Sequence, residues 1–170
     1  MNDLQIQVGD ELPPKSTVAR SAKRANSLDY PPVQAFKLRK AKNEQELSVS
    51  WLEFFTDCPT FYERLGAACT HFARNYEPGK TDRVLCVDVD HARSLLSSIA
   101  ALSAVKIVYW PEQDDPGQKI TENPSHAAVI GVAGLSEALE QLAAEQLALA
   151  VTPNIWEWSD LRSLGLVIGR

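Results

Sequence analysis

An α+β fold is predicted: a single sheet of about five or six strands, opened by an N-terminal hairpin, with three main helices packed on it. Three observations carry this. Short alternating runs surround residues 33–51 (VQAFKLRK and ELSVSW). Apolar strand-like runs (RVLCVDV, VKIVYW, HAAVIGV) then recur between segments of helical period. The whole chain is 170 residues long, 45% apolar and 23% charged, which suits one globular domain without a metal or disulfide staple. The expected division is a basic N-terminal arm over 1–30 and a single α+β domain over 31–170 with a Trp-rich C-terminal tail.

Residues 1–14 alternate briefly through Leu4, Ile6 and Val8 and stop at Pro13-Pro14, as an edge strand or a loose arm does. Ser16 is placed to cap a short basic helix through Ala25, although its apolar face (Val18, Ala19, Ala22, Ala25) is thin. Asp29-Tyr30-Pro31-Pro32 enforces extended or turn backbone. In VQAFKLRK, Phe36 and Leu38 fall on one face, Lys37 and Arg39 on the other. In ELSVSW, Leu47, Val49 and Trp51 are in register, so the two runs read as an antiparallel hairpin. DCPTFYERLGAACTHFARNY is the clearest helix, with Asp57 just ahead as its expected cap, Pro59 suited to its first turn, and Phe61, Leu65, Ala68, Cys69 and Phe72 at helical spacing. RVLCVDV reads as a strand, DHARSLLSSIAALSA as a helix capped by Asp90, and VKIVYW as a strand ended by Pro111. A polar loop of the kind that carries binding function follows. HAAVIGV is a strand, and Ser136 or Gly134 starts the helix LSEALEQLAAEQLALA. The apolar tail from Val151, with Trp156 and Trp158, must pack on something.

Charge is segregated. Residues 15–42 hold eight basic side chains against one acid, Asp29, a local charge of +7, while the remainder carries −12 and the whole −5. Such a segment reaches for a polyanion, or else lies against its own acidic body or an acidic partner. The three cysteines (Cys58, Cys69, Cys86) form no C-x-x-C pair and fit reduced thiols in a cytoplasmic protein. The N-terminus shows no signal-peptide pattern, and no run approaches the ~18 apolar residues of a membrane span.

Each candidate site residue has a functional and a packing interpretation. His126 opens a strand beside the polar loop. It suits a general acid or base, or it caps the sheet edge by bonding a loop carbonyl. Arg39 and Ser48 share the polar side of the expected hairpin. With His126 they would line a pocket for an anion, Arg39 supplying a fork matched to phosphate or carboxylate; alternatively they form a solvated sheet face. Asp88, Asp90 and His91 resemble ligands, but helix capping explains them and no metal is expected. Gly131–Gly134 sit at a strand-to-helix turn able to cradle an anion, or merely tight. Trp156 and Trp158 fill the core or anchor a partner. Arg20, Lys23 and Arg24 join them as expected partner-binding residues.

Taken together, AFKLRKAKNEQELSVSWLEFF (35–55), PSHAAVIGV (124–132) and an upstream arginine (Arg20 or Arg24) resemble a group of small uncharacterised bacterial proteins. That group carries a central AF-x-LR…LSV-x-WLE and a late P-x-HA-x-I-x-G. The resemblance covers most of residues 20–132 and leaves the Trp-rich tail outside it. It implies no activity and associates the chain with phage-conflict or mobile gene neighbourhoods. The leading expectation is a non-catalytic, cytoplasmic accessory or adaptor subunit of a bacterial multiprotein system, phage-defence or toxin-linked, with a protein partner and no cofactor. The alternative is a small enzyme acting on a phosphate-bearing nucleotide or nucleic acid, with His126 as acid/base, Arg39 as anion clamp and Ser48 as orienting group. A third reading binds nucleic acid through residues 15–42. None of the three involves a membrane.

Overall fold

Six strands form one sheet in the order β4-β5-β2-β1-β3-β6, and every neighbouring pair is antiparallel. The computed structural model describes residues 6–26, 30–113 and 122–166. The strands are β1 (Thr17–Ala22), β2 (Leu47–Trp51), β3 (Arg83–Asp88), β4 (Lys106–Tyr109), β5 (His126–Ile130) and β6 (Val151–Glu157). The helices are α1 (Phe61–Tyr76), α2 (Val89–Ser97), α3 (Glu137–Leu149) and the short α4 (Trp158–Ser163). The mixed α+β class and the single sheet agree with the sequence-based expectation.

Strand alternation divides the core in two. Val18, Val49, Leu85, Val87, Ala127 and Val129 face α2 and α3, meeting Val89, Ala92, Leu96, Ala143, Ala144 and Leu147. Ala19, Val84 and Cys86 face the other way, against Leu65, Ala68, Cys69 and Phe72 of α1 and Trp158 and Leu161 of α4. The sheet is thus covered by helices on both sides. Ala19 is fully buried, and its small side chain suits the close seating of α1.

The expected helix from Ser16 is corrected: Thr17–Ala22 is an inner strand, paired on one side with β2 and on the other with β3. The thin apolar face could not hold a helix, whereas pairing on both edges satisfies its backbone and buries alternate residues on two faces. The basic segment expected as an arm over 1–30 therefore supplies a central strand of the body. The expected strand over 33–40 is also corrected. After Pro31-Pro32 the chain makes 3₁₀ turns at Val33–Phe36 and Lys40–Lys42; Phe36 and Leu38 are still buried. The first two strands do form an antiparallel pair, but its first member is 17–22.

Helix starts lie near their expected places with different caps. Thr60, not Asp57, caps α1 in a capping box with Glu63, which satisfies two orphan donors. Asp88, not Asp90, caps α2 by accepting from the His91 N–H at 2.8 Å. Ser136 caps α3. The segment 9–12 runs along the outer edge of β4. Gly9 N–H donates to Tyr109 O (2.9 Å), Tyr109 N–H to Asp10 O (2.8 Å) and Leu12 N–H to Ile107 O (3.1 Å). Among the described residues no helix is long and apolar enough to cross a membrane.

Gly131, after β5, has φ +81°, and a Cβ there would stand 2.2 Å from the Ala104 carbonyl oxygen. Both terms oppose any side chain. Gly134 has nothing within 4 Å of that position. Gly131→Ala is expected to cost about 2 kcal/mol or more and Gly134→Ala close to nothing, as measured by chemical denaturation of both variants.

Candidate functional site

The β1–β2 ladder registers Val18 with Trp51 and Ala19 with Ser50 and goes no further, while β1 stays paired with β3 as far as Ala22. Arg20 enters the opening. Its Nε donates to the Ala35 carbonyl at 2.6 Å and its Nη1 to the Ser48 carbonyl at 2.7 Å. The side chain therefore fastens β1 to β2 and to the 33–36 turn where the ladder has stopped. Arg20 is buried at 8% exposure, and among the described residues no carboxylate lies within ion-pair distance of it. Burial pulls its pKa down to about 10; Glu44 opposes that shift and Arg39 adds to it. At neutral pH the group is a cation.

A cavity of about 310 Å³ opens over it. Its basic wall is Arg20, Lys23, Lys37, Arg39 and Lys42, and among the described residues Asp82 is the one lining carboxylate. Gln34, Asn26, Ser21 and Ser48 add neutral polar groups, and Phe72, Tyr76 and Pro78 form an apolar side. Two of the cations are matched. Lys23 Nζ lies 2.7 Å from Asp82. Arg39 forks onto Glu44, its backbone N–H also donating to that carboxylate at 2.6 Å. Burial alone would raise both acids, but the Arg39 and Lys23 contacts, helped by main-chain N–H donors, hold Glu44 and Asp82 below their usual values. Lys37 and Lys42 have no carboxylate at ion-pair distance among the described residues. Among the described residues, these five cations against Asp82 and Glu44 leave a net charge of about +3.

Arg39 and Ser48 are thus brought to one pocket, and His126 is not. The imidazole is 2% exposed. Its Nδ1 donates to the carbonyl of Trp110, which can only accept, so the ring secures the chain entering the 111–125 loop. Its Nε2 is buried with no hydrogen bond among the described residues, 3.7 Å from Glu112 Oε1. The expected three-residue site with His126 as acid/base is corrected accordingly: packing claimed the imidazole. Loop residues 114–121 lie outside those described.

A polar chain nevertheless joins the two regions. The Tyr76 phenol donates to Glu112 Oε1 at 2.8 Å, Asn75 Nδ2 donates to Glu112 Oε2 at 3.2 Å, and Ser48 lines the pocket beside Tyr76. Burial first, then the Glu112 charge, push the Tyr76 hydroxyl well above the ordinary tyrosine range. Tyr76 is thereby a neutral donor, and the residue lines the pocket while 42% exposed.

The remaining candidates fall elsewhere. Lys23 lines the pocket, and Arg24 sits in an exposed 3₁₀ turn. Trp158 is fully buried with its Nε1 donating to Ser21 Oγ at 3.3 Å, so it presents no surface to a partner. Trp156 is half-buried against Phe61, ring centroids 5.7 Å apart. Asp88 caps α2, and Asp90 accepts from the Lys15 N–H and from Arg93. Among the described residues no group of three side chains is arranged for a metal. The start of α3 beyond Gly134 is occupied by Glu137 and Glu140, the latter paired with Lys40 at 3.2 Å, which disfavours an anion there. The buried thiols Cys69 and Cys86 are pushed up by burial, Cys86 to about 12, and are inert.

Arg20 was legible as an expected partner-binding residue but not as the floor of a pocket, and Tyr76, Glu112 and Asp82 carried no motif. The signal for Arg20 was its place in TVARSA, one large cation among small residues. No protein-family model, no curated protein and no solved structure matches this chain.

Two outcomes follow from this wiring. Glu112→Ala unties Tyr76 and Asn75 and is expected to lower stability by about 2 kcal/mol; a double-mutant cycle with Tyr76→Phe should return a coupling near 1 kcal/mol. His71, stacked on Phe55, is held below its usual 6.5, mainly by burial and then by Arg74, with Glu112 opposing. The unfolded chain then takes up a proton near that pH which the folded chain refuses. Stability is full above 6.5 and declines as pH falls toward the depressed folded value. His71→Gln should remove that part of the slope in denaturation midpoints measured across pH 5–8.

Proposed function

We propose that this chain is a non-catalytic binding protein that captures a phosphate-bearing ligand in the Arg20 pocket. One observation carries the reading: a buried guanidinium satisfied by two main-chain carbonyls, with no carboxylate among the described residues, at the floor of a cavity with four further cations. Buried charges are ordinarily paired, and desolvating an unpaired cation costs several kcal/mol. An anion in the cavity offsets that cost and forms charge-assisted bonds worth roughly 1.5–3 kcal/mol each. Planar guanidinium donors from Arg20 and Arg39 suit the oxygens of a phosphate.

The same lining supports binding over catalysis. Tyr76 is held protonated, Asp82 is held ionised against Lys23, and among the described residues no base lies within hydrogen-bond reach of the Ser48 hydroxyl. None of these moves a proton near neutral pH. In this reading the chain is an accessory subunit, and the pocket is its recognition element in place of a Trp-rich docking surface.

Inorganic pyrophosphate, compared with chloride at matched ionic strength, should stabilise the protein. At a hundredfold excess over its dissociation constant the gain is about 2.7 kcal/mol, a rise in Tm of roughly 5–10 °C. Arg20→Met, or Lys37→Ala with Lys42→Ala, should remove most of that rise. His126→Gln should lower the starting Tm yet leave the increment intact. An equal response in wild type and in the pocket variants would refute the assignment.

A further inference from the structure

The pocket has two chemically different sides, and a bare phosphate uses one of them. The geometry points to a nucleoside monophosphate as its occupant, an inference that rests on the phosphate-binding reading above. The phosphate belongs on the cationic side, over Arg20 with Arg39 and Lys42. The same lining includes Tyr76, a residue 42% exposed although its hydroxyl is held by Glu112 at 2.8 Å. The ring is fixed at both ends. Its Cα belongs to the last residue of α1, and its hydroxyl is clamped, so it cannot swing away and gives up little freedom when a flat group lies on it. A phenol held this way is a stacking platform for a base. Phe72 and Pro78 extend that side of the cavity, and Gln34 on its wall offers an amide that both donates and accepts toward a base edge.

Size selects one nucleotide. At about 310 Å³ the cavity lies at the small end of ligand sites, large for an orthophosphate and tight for a dinucleotide. The charge layout selects a free nucleotide over a strand. Outside residues 15–42 the chain carries −12, which opposes the phosphates that a longer polyanion would lay across its surface.

The test is a calorimetric titration of the full chain with the four ribonucleoside monophosphates, ribose 5-phosphate, orthophosphate and an oligouridylate series of increasing length. At least one monophosphate should bind about tenfold or more tightly than ribose 5-phosphate, the margin that one stacked base supplies. Tyr76→Ala should erase the margin, so that each monophosphate binds that variant no better than ribose 5-phosphate does, and Tyr76→Phe, which keeps the ring, should retain most of it; circular dichroism and denaturation confirm that each variant is folded. If every monophosphate binds only as well as ribose 5-phosphate, the nucleoside inference fails while the anion pocket stands. If no phosphate compound binds, both fall together. Affinity that climbs with oligouridylate length overturns the free nucleotide in favour of a single strand.

Discussion

Where β1 and β2 stop exchanging main-chain hydrogen bonds after Ala19 and Ser50, the Arg20 guanidinium takes over the connection, donating to Ser48 and to Ala35. A sheet that opens in its middle ordinarily leaves carbonyls without partners, each costing a kcal/mol or more. A long, planar, multiply donating side chain closes that deficit and at the same time holds the 33–36 turn against the sheet. The pocket is what remains above this repair. Its floor is rigid because the floor is the fastening itself, and its charge is positive because the fastening carries a formal charge and the carbonyls do not cancel it.

This double duty explains the arrangement of the other charges. Asp82 and Glu44 sit close enough to orient Lys23 and Arg39, yet neither reaches Arg20. A carboxylate on Arg20 would neutralise the site and make the pocket indifferent to anions. The acids act as tethers on the rim, keeping long flexible side chains in place while the innermost cation stays open to whatever enters. Glu112 performs the corresponding task for neutral donors, accepting from the Tyr76 phenol and the Asn75 amide and so setting the angle of an aromatic ring.

Much of the architecture could be read from the residues. Periods of two and of 3.6 located the strands from Leu47 onward and the three longer helices, because those runs bury one clear face each. The misreadings share a physical cause. Residues 17–22 are small and mixed in polarity, so no period marks them. They are a strand because two neighbours hydrogen-bond to them, and that fact is stored in β2 and β3. Residues 33–38 alternate correctly, yet Pro31-Pro32 and the turn they impose win over the pattern. Of the site, Arg39 and Ser48 were visible as polar residues beyond what packing requires. Tyr76, Glu112 and Asp82 were not, since each works through partners 36 to 59 residues away. His126 shows the reverse case: a residue type suited to chemistry, placed next to a loop, whose donor is consumed by the carbonyl of Trp110.

The strand-like segment 9–12 on the outside of β4 bears on how the molecule meets others of its kind. A bare outer strand invites a second chain to continue the ladder. Here that side is already taken by the protein's own leader. At the opposite border, β6 carries Pro153 beside a register shift against β3, which breaks the row of donors a newcomer would need. The 9–12 segment covers part of the β4 border and Pro153 removes one main-chain donor from β6, so each flank offers a newcomer a shortened row of groups.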